Sequence, residues 1–331
     1  MGSSALPSPA LSAEFRELFR AQAGPKGELS FARFMELALY HPTAGYYRRP
    51  GTRVGYGGGT DFFTASTSGT VFGELLTAAI IHLLGPDAPA DFEFVEIGAE
   101  PGGGVLNGVA HPFRSARVVP FGESPGLTGQ CVVFSNELFD AQPFRRFVFR
   151  RTGWLEFGVA LRQNALVEVE LPVVAPPSLP AMAPEGYVID APYAAAALAG
   201  TIAALPWTGL FVAFDYGKPW RELTEACPSG TARAYHRHTQ SNDLLARPGE
   251  QDLTCHICWD WLVEALDSRG FAKSTVESQE AFFIHHAAEY IAATTAAEAA
   301  RFSQRKLSLL QLLHPSHLGQ KFQVLHTRRS G

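Results

Sequence analysis

Apolar residues recur at helical spacing from Ser12 to Arg20 and again from Ser30 to Tyr40, where Phe31, Phe34, Met35, Ala38 and Leu39 share one stripe. The pattern predicts two opening helices, with Ser30 placed to cap the second and His41-Pro42 to stop it. The segment that follows, to Ser68, is rich in Gly, Tyr and Thr and has Gly57-Gly58-Gly59 in its middle. Loops this long tend to be functional or disordered, and the aromatic content points to a binding lid. Its Asp61, Tyr46 and Tyr47 either close over a ligand or anchor the loop by packing.

Val71 to Leu84 reads as a helix and Phe92 to Ile97 as a buried strand running into Gly98-Ala99-Glu100-Pro101-Gly102-Gly103-Gly104. Strand, glycine loop and short helix form a nucleotide-binding arrangement, because glycines let backbone approach a ligand closely. Two further apolar runs, Ala116 to Phe121 ending at Glu123 and Cys131 to Phe134 ending at Ser135-Asn136-Glu137, look like parallel strands with polar carboxyl ends. Arg146 to Val169 alternates around Thr152-Gly153, as an antiparallel hairpin does. Beyond it the pattern predicts a helix over Ala191–Leu205 and a strand over Gly209–Phe214 that ends in Asp215-Tyr216-Gly217. Further helices are expected over Trp259–Leu266 and Ala287–Phe302, with strand pieces at Phe271–Glu277, Ala281–Ile284 and Phe322–Leu325.

Composition narrows the function classes. With 331 residues, 46% hydrophobic and 18% charged, the chain has the make-up of a folded protein with a sizeable core. Its net charge of −5 offers no footprint for nucleic acid or an anionic membrane. No apolar stretch is long enough to span a bilayer. The 4 cysteines are too few for a disulfide framework and suit a reducing compartment, so a cytoplasmic location is expected. Cys255-His256-Ile257-Cys258 has no distant second pair, and its apolar context favours a buried helix start over a zinc site. No metal is expected.

Several strings together resemble one family. SFARFMELALYHPTAGYY, DFFTAS before FGELL, FVEIG before the glycines, SNELFDAQP, the strand end FDYG, and GTARAYHRH followed by PGEQDLT are similar to the MidA-type proteins. Those are S-adenosylmethionine-dependent methyltransferases, among them a mitochondrial protein arginine methyltransferase needed for complex I assembly. The likeness runs from about Phe31 to about Val324. It implies a doubly wound, Rossmann-like α/β methyltransferase sheet with N-terminal helices and an inserted antiparallel hairpin. It also implies S-adenosylmethionine as cofactor and a protein side chain, arginine, as substrate. The expected division is a helical and loop cap over 1–88 and a methyltransferase-like domain over 89–331, interrupted by the hairpin at about 145–170.

Carried onto this sequence, Glu96, Gly98 and Gly102 match the family's cofactor motif, and Glu123 is the candidate ribose-binding acid. Glu100 stands where the family has glycine; its carboxylate either bonds the cofactor's amino group or blocks the pocket. Between Glu123 and Asn136 lie only Ser124 to Ser135, too few for a further strand with two crossovers, so the usual third edge strand is expected to be missing. Asn136, Glu137 and Asp140 follow a strand end, where open α/β sheets hold ligands. They either cap the turn or carry the chemistry, and carboxylates there suit a guanidinium, which presents a planar fork of donors. The expected partner therefore presents a basic side chain. The alternative is a non-catalytic binding or assembly factor with a degenerate cofactor site.

Overall fold

The computed structural model describes residues 11–49, 69–99, 103–299, 303–314 and 319–331. Along the chain run α1 (Ala13–Gln22), β1 (Glu28–Ser30), α2 (Phe31–Tyr40), α3 (Thr70–Leu84), β2 (Glu93–Ile97), β3 (Ser115–Val119), β4 (Gly129–Asn136), β5 (Arg145–Arg150), β6 (Gly153–Arg162), β7 (Ala165–Leu171) and β8 (Val188–Ala191). There follow α4 (Tyr193–Ala204), β9 (Trp207–Asp215), β10 (Gly217–Lys218), α5 (Trp220–Glu225), β11 (Arg233–His236), β12 (Thr239–Ser241), β13 (Asp252–Thr254) and β14 (Ile257–Cys258). The last are α6 (Trp259–Asp267), β15 (Thr275–Ser278), α7 (Gln279–His286), α8 (Ala288–Ala297), α9 (Gln304–Leu313) and β16 (Gln323–Arg329). No described helix is long and apolar enough to cross a membrane.

These elements form two compact units, each assembled from three stretches of chain. One comprises 1–51, 141–195 and 218–258; the other comprises 52–140, 196–217 and 259–331. The division expected at residue 88 does not follow these units. The apolar helix α3 belongs to the second unit, where Phe72, Leu75, Leu76 and Ile80 are buried, while the strands at 145–171 belong with the N-terminal helices.

In the first unit, β5, β6 and β7 form the expected antiparallel meander and are joined by β1 and β8. Ser12 and Ser30 cap α1 and α2 by accepting the N–H groups of Phe15 and Arg33. Phe31 of α2 packs on Phe34 and Phe144. A small sheet, β12-β11-β13, lies in a stretch that reads from sequence only as a polar loop.

The second unit is built on a six-stranded sheet in the order β15-β16-β9-β4-β2-β3. β3, β2, β4 and β9 run parallel, and β16 lies antiparallel between β9 and β15. β9 is buried along almost its whole length and β4 from Cys131 to Ser135, which is why they read as continuous apolar runs rather than alternating ones. Phe94, Phe134 and Phe214 project from neighbouring strands and meet Phe72 of α3 and Phe282 and Phe283 of α7. Among the described residues no strand lies outside β3, and 120–128 form only a turn, in agreement with a missing third strand. β3 is accordingly an exposed edge, with Val118 40% accessible. Arg117 steadies it through Glu93 at 3.0 Å and the Pro125 carbonyl at 2.6 Å.

Two expectations fail here. The described residues after the glycine loop, 103–110, make a turn at 105–108 and no helix. Ala281–Ile284 is part of α7 instead of a strand: Ser278 accepts the Ala281 N–H at 3.2 Å and starts a helix that a short apolar run cannot reveal.

Candidate functional site

The register of the parallel strands defines the site. Ile97 of β2 lies beside Val119 of β3 and Ser135 of β4, and Asn136 lies beside Phe214 of β9. Gly98, Asn136, Glu137 and Asp215 therefore end up at one edge of the sheet, the carboxyl edge at which such sheets hold ligands. Gly98 has φ +87°, and its N–H donates to the Val119 carbonyl at 2.8 Å. A Cβ at this position would come within 2.7 Å of Leu138 Cδ1, so both conformation and space call for glycine.

Glu96 is 7% exposed, and its Oε2 accepts the Val105 N–H at 2.6 Å. Burial pushes its carboxyl up to about 7, against the opposing effect of that N–H. The carboxyl thus ties the far end of the glycine loop back to the strand. Gly73 of α3 makes this closure possible: a Cβ there would sit 2.1 Å from the Val105 carbonyl oxygen.

On the other side of Gly98, Glu137 adopts φ 53°, a left-handed turn that stops β4, and its N–H donates to the Phe214 carbonyl at 2.9 Å. Asn136 Nδ2 donates to Glu137 Oε1 at 3.0 Å. Asn136 Oδ1 is buried and has no hydrogen-bond partner among the described residues, an acceptor left over for something else. The turn is held by Asp215, wholly buried at the end of β9. Its Oδ2 accepts the Phe139 N–H at 2.8 Å and its Oδ1 the Tyr216 N–H at 2.9 Å. The Leu138 and Asp140 N–H groups point at the same carboxyl, and burial raises its pKa in spite of all four donors.

Three sequence expectations change. The segment 137–140 is not helical, so Glu137 and Asp140 do not share a helix face. Asp140 is 4% exposed and lies inside rather than at the rim. Glu123 sits on an exposed turn just beyond β3, closed by its N–H to the Pro120 carbonyl at 3.2 Å. Glu100, Gly102 and Asp61 lie outside the described residues. Asp215 is the site residue that sequence reasoning did not single out, although the strand end FDYG marks its place.

In the first unit, Tyr46 is 2% exposed, and Tyr47 stacks on Tyr40 and donates to Asp252 Oδ1 at 2.8 Å, so both serve packing and anchoring. Asp190, equally unforeseen, accepts the Thr231 and Ala232 N–H groups at 2.6 and 2.8 Å and pairs with Arg146 at 2.9 Å. Cys255 and Cys258 are buried and form no disulfide.

The available groups fit S-adenosylmethionine. Gly98 brings bare backbone to the strand end, with Leu138 filling the space beside it, and the orphaned Asn136 Oδ1 offers an acceptor to an ammonium or hydroxyl. Comparisons with known proteins agree. Residues 115–276 match the model of a family described as "Putative S-adenosyl-L-methionine-dependent methyltransferase". A "likely methyl transferase" from Burkholderia thailandensis, crystallised with S-adenosyl-homocysteine, superposes with a TM-score of 0.83 at 25% identity, over 98% of this chain and 96% of that one. A second crystal structure from Burkholderia thailandensis, of an uncharacterized protein, matches in fold with a TM-score of 0.81 at 24% identity, again over 98% and 96% of the two chains. No curated protein matches the chain. Fold, strand-end site and the match over 115–276 converge on an S-adenosyl-L-methionine-dependent methyltransferase.

Proposed function

We propose that the chain is a MidA-type methyltransferase that transfers a methyl group from S-adenosylmethionine to a protein side chain, an arginine. The observation that carries this reading is the placement of Asn136 and Glu137 beside Gly98 at the carboxyl edge of the sheet. The cofactor, when bound, supplies a methyl group activated on a sulfonium. Gly98 presents backbone at the strand end, Glu96 holds Val105 against β2, and Glu123 is the candidate for the ribose; Glu100 and Gly102 are assigned to the cofactor by the resemblance alone. Glu137, oriented by the Asn136 amide, accepts N–H donors of a guanidinium, aligning the nucleophilic nitrogen and lowering the cost of its deprotonation. Asp140, buried, acts through the turn it ends. The four cysteines, none of them joined in a disulfide, support a cytoplasmic location.

The exposed edge at β3 favours a second reading, a binding or assembly factor with feeble cofactor affinity, because enclosure gives most of a small ligand's affinity. Calorimetric titration with S-adenosylmethionine, followed by transfer of labelled methyl to arginine-containing peptides, separates the two. Binding with transfer that Glu137→Gln abolishes supports the enzyme. Peptide capture without transfer supports the assembly factor.

A further inference from the structure

A second cluster of chemically capable groups lies on the β15–β16 side of the second unit. Glu277 of β15 has Oε1 3.1 Å from His326 Nε2 and 3.3 Å from His286 Nε2, and Oε2 2.7 Å from His285 Nδ1. His286 Nδ1 lies 3.1 Å from Nδ1 of His82 on α3. The topology makes this meeting specific. Thr275 pairs with His326 in the antiparallel ladder, so Glu277, two residues on, shares its face one step along the diagonal. α7 starts directly after β15 and brings His286 back over that face, where Phe282 packs against both His286 and His326.

Two imidazole nitrogens and one carboxylate oxygen, all within 4.8 Å of one another, are a zinc-type donor set. Bonds of about 2.0–2.1 Å in a tetrahedral site put neighbouring donors about 3.3 Å apart, close to the two oxygen–nitrogen distances here. The side chains of Glu277, His286 and His326 are 13%, 16% and 12% exposed, shielded yet reachable. When His286 Nε2 gives its lone pair to a metal, Nδ1 carries the proton and donates to His82, the kind of outer hydrogen bond that orients metal-binding histidines.

We propose that Glu277, His286 and His326 bind a divalent metal of the zinc class, with His285 hydrogen-bonded to the remaining carboxylate oxygen. The metal would clip α7 to the β15–β16 ladder. His326 pairs with Val212, three residues before Asp215 on β9, so the clip is separate from the strand-end site and its test needs no methyl transfer.

The full chain is stripped with a chelator and titrated calorimetrically with zinc chloride; cobalt(II) is then added in place of zinc and its visible absorption recorded. We expect one equivalent bound, an intense tetrahedral cobalt spectrum and a higher melting temperature with metal. His286→Gln and His326→Gln should each weaken binding at least tenfold while retaining the parent's circular dichroism, and Cys255→Ser with Cys258→Ser should leave it unchanged. The proposal is overturned if no stoichiometric metal binds, if both histidine variants bind as the parent does, or if the cysteine variant loses the metal. The cluster would then be a carboxylate hydrogen-bonded by three imidazoles.

Discussion

Glu96 and Asp215 are buried carboxyls with one kind of task, each closing a loop at the strand ends by accepting backbone N–H groups. Their energetics differ in what can be tested. Glu96 titrates near 7 when folded, above its value of 4.5 in the open chain, so the stability it contributes is full below about pH 4.5 and is lost as pH rises to about 7. The loss amounts to about 3 kcal/mol. Glu96→Gln keeps an acceptor for Val105 and deletes the titration. Urea unfolding at pH 5 and pH 8 should show the variant gaining on the parent at the higher pH; parallel behaviour of the two proteins would refute the buried charge. Asp215→Asn instead turns an NH2 group towards backbone donors, and leaving one of them unsatisfied costs about 1–3 kcal/mol. Chemical denaturation should show that drop, together with weaker cofactor binding, since the turn carrying Glu137 loses its anchor.

The helix α3 meets the glycine loop at Gly73, and there propensity and packing make opposite forecasts. Alanine improves a helix by about 1 kcal/mol over glycine, yet its Cβ would press on the Val105 carbonyl. Overpacking of this kind costs about 1–3 kcal/mol, so Gly73→Ala should lower the melting temperature and loosen S-adenosylmethionine binding in calorimetry. A more stable variant would mean that the loop yields freely. The contrast between elements explains what could be read in the chain. β2, β4 and β9 are legible because burial gives each a run of consecutive apolar residues, and the shortness of 124–135 reveals the missing edge strand by arithmetic alone. α7 is not legible, since Ala281–Ile284 is too short for its period to choose between helix and strand. β11, β12 and β13 escape because, at 4, 3 and 3 residues, they are too short for a period to show. At the site, Asn136 and Glu137 show themselves by ending an apolar run. Asp215 also ends an apolar run, but its role stays hidden because Phe139, whose N–H it accepts, is far away in sequence, and Asp190 is hidden by the same distance from Thr231 and Ala232.

Across the whole molecule, the net charge of −5 and a carboxylate at the strand ends favour a basic partner at long range. Capture of an arginine-containing cationic peptide should weaken severalfold between low salt and about 0.5 M, where the Debye length falls below about 10 Å. Fluorescence anisotropy across that range checks it, and indifference to salt would argue for an apolar epitope instead. The strand order also governs when the sheet can exist. β16, at 323–329, is the last described strand in sequence but is threaded between β9 and β15. During synthesis β15 therefore has no ladder to join, and β9 keeps an open edge, until some three hundred earlier residues have already left the ribosome. A stop codon before Gln323 would remove one strand by coding and a second by desertion, scattering Glu277 and His326 together. A nascent chain in that state exposes the apolar edge of β9, the surface on which a chaperone would be needed.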